Sequence, residues 1–94
     1  MNPFSLEGRS ILVTGASSGI GRACAVACAE AGARIALVGR NRDRLNETLG
    51  LLPEVSGGPH LPICADLTDF DGLRPLVTQA VAALGPLHGL LNAA

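Results

Sequence analysis

An uninterrupted apolar run, Ile11-Leu12-Val13, leads directly into Thr14-Gly15-Ala16-Ser17-Ser18-Gly19-Ile20-Gly21, and a small-residue segment follows from Arg22. A continuous apolar run, rather than an alternating one, is expected of a strand covered on both faces in a parallel sheet. The glycines then turn the chain into a helix N-terminus, and a strand, a glycine-rich turn and a helix start together form an arrangement that receives a phosphate. The alternative is a strand-to-helix turn whose glycines hold no ligand.

Residues 9–14 are the first expected strand. A helix is expected from 20 to about 31, with Ile20, Ala23, Cys24, Ala27 and Cys28 as its apolar stripe and Gly32 as its stop. Residues 34–39 give the second strand, with Ile35-Ala36-Leu37-Val38 at its centre. Asn41 caps a second helix whose buried stripe is Leu45, Leu49 and Leu52. Residues 53–59, with Gly57-Gly58, read as a surface loop, and 61–65 as a third strand with Pro62 near its start. Thr68, Asp69 or Asp71 begins the third helix. Its expected face is Phe70, Leu73, Val77, Ala80, Val81 and Leu84. Pro75 would cost that helix an interior hydrogen bond unless the regular turns start near Gly72. Gly85-Pro86 ends it, and 87–93 is a fourth strand. Strands alternating with helices argue for an α/β fold, a parallel sheet with right-handed crossovers and helices on both faces. The expected strand order is 3-2-1-4, with a nucleotide lying where the order reverses between strands 1 and 4.

With 94 residues, the chain is expected to be a single domain, 1–94. Its net charge of −1 gives no electrostatic reason to expect nucleic acid or a membrane as partner. No apolar run approaches the ~20 residues of a membrane span, and no leader pattern opens the chain. Three cysteines, Cys24, Cys28 and Cys64, and two histidines, His60 and His88, make no metal-ligand pattern, so no metal site is expected. Free cysteines fit a reducing, cytoplasmic setting. The chain has no tyrosine, and all seven of its basic residues are arginines. Chemistry that needs a phenol acid or an amine is therefore closed to it alone.

The chemistry-bearing positions gather after the strands. Gly15 makes the tight turn, Gly19 lets a pyrophosphate approach backbone N–H groups, and Gly21 lets the helix lie close on the sheet. Ser17 and Ser18 offer hydroxyls to phosphate oxygens, with Ile20 beside them. The spacing is G-x-x-x-G-x-G, distinct from G-x-G-x-x-G. It is also not a Walker A loop, because Arg22 stands where a lysine is needed. The second strand ends Val38-Gly39-Arg40 without a carboxylate. A carboxylate there would hold a ribose 2′-hydroxyl and select NAD; Arg40, with Arg42, offers donors matched to a 2′-phosphate, which favours NADP over NAD. The alternative is that these arginines only open a solvated helix. Asp66 either accepts from an adenine amine, with Leu67 covering the ring, or only begins a turn or caps the next helix. Asn92, disfavoured in a strand, is expected to serve a hydrogen bond, preferably to backbone.

Taken together these residues resemble the N-terminal half of a classical short-chain dehydrogenase/reductase. The resemblance rests on Leu6-Glu7-Gly8-Arg9, the turn from Thr14 to Gly21, Gly39-Arg40-Asn41, Ala65-Asp66-Leu67-Thr68-Asp69 and Leu90-Leu91-Asn92-Ala93-Ala94. It covers the whole chain. It implies a Rossmann-like sheet truncated after strand 4, a pyrophosphate on the glycine turn, and NADP preference from Arg40. It also implies adenine at Asp66 and an adenosine ribose along Asn92 and Ala93. Ala93 stands where the family usually has a second asparagine. The family's catalytic serine, tyrosine and lysine, and its substrate loop and oligomer-forming helices, fall beyond residue 94. No catalytic residue is carried over. The chain is expected to be inactive alone, with small-molecule substrate and homo-oligomer belonging to a full-length parent. The other readings are a non-catalytic nucleotide- or partner-binding module, and one piece of a split enzyme.

Overall fold

In the computed structural model, residues 5–17, 19–65 and 72–93 are described. The elements run β1 (Ser10–Thr14), α1 (Gly19–Glu30), β2 (Arg34–Gly39), α2 (Arg42–Leu51), β3 (Leu61–Cys64), α3 (Leu73–Leu84) and β4 (Gly89–Asn92). All strand pairs are parallel, in the order β3-β2-β1-β4. Leu12 lies opposite Ala36 and Leu90, and Leu37 lies opposite Pro62. The order is the expected one. β1, β3 and β4 are shorter at their ends than the apolar runs suggested. Before β1, the Arg9 N–H closes a turn on the Leu6 carbonyl instead of extending the strand.

The alternation of side chains along β1 and β2 divides the core in two. Ile11, Val13, Ile35 and Leu37 pack with Ala25, Ala29, Leu45 and Leu52 under α1 and α2. Leu12, Ala36, Val38 and Ile63 pack with Leu76, Ala80 and Leu84 under α3. Complete burial of a Leu or Ile side chain stabilises by roughly 1.5–3 kcal/mol. The fully buried Leu12, Ile35 and Leu37 are therefore what hold the two central strands between the helical layers. β3 takes the far edge, where Pro62 is exposed and its missing N–H costs no ladder bond. No helix of the described residues is long and apolar enough to cross a membrane.

Two helix faces differ from the sequence reading. In α1 the buried residues are Gly21, Ala25 and Ala29, whereas Ala23 and Ala27 are exposed and Ile20 is 76% exposed. The helix lies so close to the sheet at its start that only its smallest residues fit underneath. In α3 the buried face is Leu76, Ala80 and Leu84, with Val77 packed against it; Val81 is exposed. Phe70 and the proposed starts Thr68, Asp69 and Asp71 lie outside the described residues. Gly72 is the N-cap of α3, so Pro75 is the third helical residue, where an N–H has no intrahelical acceptor anyway. α1 ends as expected at Gly32. The Gly32 N–H donates to Ala29 and the Ala33 N–H to Cys28, with Gly32 at φ 106°, which is a Schellman closure.

Both histidines support strand starts at the end of the sheet away from the glycine turn. The Ser10 N–H donates to His88 Nδ1 at 3.1 Å, and the Ile35 N–H donates to His60 Nδ1 at 3.0 Å. With Nδ1 accepting, His60 Nε2 carries the proton and donates to the Pro53 carbonyl at 2.8 Å. His60→Ala breaks both bonds and leaves the Ile35 amide without this partner. It is expected to lower stability by about 1–2 kcal/mol, read from the midpoint of a urea denaturation curve.

Candidate functional site

The carboxyl ends of the strands are tied to one another by single backbone bonds. The Ala16 N–H donates to the Val38 carbonyl, Ala65 to Gly39, and Ala93 to Thr14. The turn after β1, the Gly39-Arg40 corner after β2 and Asn92-Ala93 after β4 therefore share one rim. This is the rim at which the sequence placed its chemistry, and α1 begins there at Gly19 with the positive end of its dipole.

The glycines of the turn differ in what surrounds them. A side chain on Gly21 would drive its Cβ to 1.9 Å from the Gly15 carbonyl oxygen. Gly21 is thus a packing glycine, filled from behind. Gly19 is exposed at φ 59°, and a Cβ built on it meets nothing within 4 Å. Open space in front of a helix N-terminus, with exposed Ile20 at its side, fits an approaching anionic group. Gly15, at φ 67°, makes the sharp exit from β1.

Ser17 occupies the space above Gly39. A Cβ on Gly39 would meet the Ser17 Cβ at 3.0 Å and Leu45 Cδ1 at 3.2 Å. This contact sets the glycine turn against the residue that precedes Arg40. Arg40 is exposed, and its carbonyl accepts a hydrogen bond from the Cys64 thiol. Asn41 caps α2 by accepting from the Arg44 N–H at 3.0 Å, which stabilises by about 1 kcal/mol and fixes where α2 departs from Arg40. Arg42 is exposed on the first turn of α2.

Asn92 is the last residue of β4. Its Oδ1 accepts a 2.8 Å hydrogen bond from the Thr14 hydroxyl, across the β1–β4 register that places the two residues opposite each other. Ala93 is half-buried beside them. Ser18, Asp66 and Leu67 lie outside the described residues.

Two residues at the site were not singled out in the sequence. Arg22, on the first turn of α1, donates through Nε to Thr48 Oγ1 at 2.8 Å and through Nη2 to the Ser17 carbonyl at 2.8 Å. Thr48, fully buried on α2, donates to the Ala16 carbonyl at 2.8 Å. The available signal was Thr48 itself. It sits three residues after Leu45 and four before Leu52, a polar residue inside an apolar stripe, and such a residue needs a buried partner.

The cysteines carry no comparable chemistry. Burial, and secondarily the nearby Cys24, pushes the Cys28 thiol above its ordinary pKa, so it stays protonated and packs as a small apolar group. Among the described residues, no group of three or more His, Cys, Asp or Glu side chains is placed to hold a metal.

A parallel sheet of order 3-2-1-4, with a glycine turn and a helix N-terminus at its switch point, defines the class of Rossmann-like nucleotide-binding folds. The chain matches the short chain dehydrogenase family over residues 9–94. It is 44% identical over 84 residues to a glucose 1-dehydrogenase of Gluconobacter oxydans, covering 89% of this chain and 32% of that protein. It is 38% identical to L-xylulose reductase of Mus musculus over 95% of this chain and 33% of that one. Among solved structures, a dehydrogenase/reductase from Sinorhizobium meliloti superposes with a TM-score of 0.86 at 36% identity, over 97% of this chain and 36% of its own. The chain belongs to the short-chain dehydrogenase/reductase family. It spans about a third of the length of these relatives.

Proposed function

We propose that residues 1–94 form the NADP-holding unit of an oxidoreductase that passes a hydride between NADPH and a carbonyl or alcohol. The observation that carries this reading is the meeting, on one rim, of the open Gly19 turn and the exposed Arg40 beside Gly39, with Ser17 bridging them by contact. The pyrophosphate is held by the backbone N–H groups at the start of α1 and the hydroxyls of Ser17 and Ser18, with Gly15, Gly19 and Gly21 shaping the turn and Ile20 covering it. Arg40 takes the 2′-phosphate, which selects NADP over NAD. Asp66 and Leu67 take the adenine; Asn92 and Ala93 line the ribose. When bound, the dinucleotide supplies the hydride.

The chain's own residues bind and orient. Backbone N–H groups at a helix start bind the two phosphates in a fixed pose, and the Thr14–Asn92 bond holds the β1 and β4 rims together beneath it. The two relatives named by substrate are a dehydrogenase of one substrate and a reductase of another, which supports the reaction class without fixing the substrate. Homo-oligomer formation and substrate selection belong to the full-length enzyme in this reading.

Isothermal titration of the chain with NADPH and NADH tests the proposal. Tighter binding of NADPH supports it, and the absence of binding to either defeats it. The same preparation is expected to reduce no carbonyl compound, since it has neither tyrosine nor lysine. Loss of NADPH absorbance with a ketone panel, above the enzyme-free rate, is the contrary result.

A further inference from the structure

Carbonyl oxygens are the wrong groups to face a pyrophosphate, and among the described residues of the glycine turn three must point elsewhere. The Gly15 carbonyl lies against Gly21. The Ala16 carbonyl accepts from the Thr48 hydroxyl and the Ser17 carbonyl accepts from Arg22 Nη2, each at 2.8 Å. Thr48 has one proton to donate, so the 3.2 Å approach to the Arg44 carbonyl is secondary. Its oxygen accepts in turn from Arg22 Nε. Arg22 Nη2 also reaches the Arg44 carbonyl at 3.1 Å and Glu47 Oε2 at 3.3 Å. These acceptors lie on α2 and on the turn itself. The guanidinium is therefore turned toward α2, and its charge is already paired with Glu47.

The geometry points to Arg22 and Thr48 as positioning residues for the pyrophosphate turn: a relay from Arg22 to Thr48 to Ala16, with a second arm from Arg22 to Ser17, holds two carbonyls toward α2. In a trans peptide the C=O and N–H point in opposite directions, and no described peptide is cis. Fixing the Ala16 carbonyl toward α2 therefore aims the Ser17 N–H the other way, toward the ligand side. The relay rests on the cofactor reading above. It adds that the turn's donors are set in place by α2 before any ligand arrives, which lowers the ordering cost of binding. Arg22, a cation at a helix start, acts here through backbone and not as a phosphate ligand.

The test uses the full 94-residue chain and two titrants. NADPH engages the turn through its pyrophosphate. Adenosine 2′-monophosphate keeps the adenine, ribose and 2′-phosphate but has no pyrophosphate. Thr48→Val keeps the shape and removes the hydroxyl; Thr48→Ser keeps the hydroxyl. Losing one buried hydrogen bond that sets the turn is expected to weaken NADPH binding by about tenfold in Thr48→Val. Thr48→Ser is expected to stay within about threefold of the parent chain. Binding of adenosine 2′-monophosphate is expected to be unchanged in both. Arg22→Met is expected to match or exceed the Thr48→Val loss, again for NADPH only. Equal losses for both titrants would mean that the relay only holds the fold, and unchanged NADPH binding in all variants would mean that it holds nothing; either overturns the inference. If the parent chain binds neither titrant, the cofactor reading itself fails, and the inference fails with it. If it binds NADPH but the variants behave as the parent, only the relay is lost.

Discussion

Gly21→Ala is expected to remove most of the folded population. The added methyl carbon would stand 1.9 Å from the Gly15 carbonyl oxygen and 2.6 Å from its carbonyl carbon. Both are backbone atoms, and no rotamer moves a Cβ. Relief requires α1 to back away from the sheet at its first turn. That would open the contact between the buried Ala25, Ala29 and the β1–β2 core and strip the turn of its closure. A cost of about 4 kcal/mol or more falls in the exceptional class of single substitutions, and it approaches the whole stability of a domain this size, about 5–10 kcal/mol. Gly50→Ala in α2 is the matched control. There a Cβ meets nothing within 4 Å, and a glycine-to-alanine change in a helix is worth up to about 1 kcal/mol in favour of folding. Far-UV circular dichroism against urea should show a near-complete loss of the native baseline in the first variant and an unchanged or later transition in the second. A Gly21→Ala transition close to that of the parent chain would show that the turn tolerates a wider gap to α1.

Arg40→Asp carries the second large effect, this time on binding. Arg40 is exposed at the rim, so the fold should be unaffected. A hydrogen bond to a charged group contributes about 1.5–3 kcal/mol, and a carboxylate in place of the guanidinium adds repulsion against a phosphate. NADPH affinity is expected to fall about a hundredfold, equivalent to about 2.7 kcal/mol. NADH, which has no 2′-phosphate, should change by less than about threefold, or gain if the new carboxylate meets its ribose hydroxyl. The gap should narrow as salt is raised, because the lost interaction is between exposed charges. Equal losses for the two dinucleotides would remove Arg40 from the 2′-phosphate reading.

The strand order was legible because Ile11-Leu12-Val13 and Ile35-Ala36-Leu37-Val38 are contiguous apolar runs, and each is fully buried between two layers. The α1 face was less legible. Ala23, Ala25, Ala27 and Ala29 give no contrast of size or polarity, so several stripes fit the spacing. The phase was fixed instead by Gly21, whose close approach to Gly15 makes Gly21, Ala25 and Ala29 the inner line. In α3, Leu76 was passed over because the expected stripe was phased from Phe70 and Leu73, whereas the buried line among the described side chains is Leu76, Ala80 and Leu84. The rim positions Gly15, Gly19, Gly21, Arg40 and Asn92 were readable from local spacing alone. Thr48 stood out only as a polar residue in an apolar stripe, and its pairing with Arg22 was not readable, since the two meet across 26 residues and reach the turn through the Ser17 and Ala16 carbonyls. No local pattern records such a partnership.

The contact between Ser17 and Gly39 bears on how a chain of this kind changes over generations. Positions 39 and 40 are adjacent in the sequence but unequal as mutational targets. Any side chain at 39 presses on Ser17 and Leu45 and perturbs the turn and α2 together. Position 40 is exposed and accepts a change of size or sign without touching either. In the NADP reading proposed above, a change in ribose recognition falls on the solvent-facing position 40, whereas a side chain at 39 requires Ser17 and Leu45 to give way by a few tenths of an ångström.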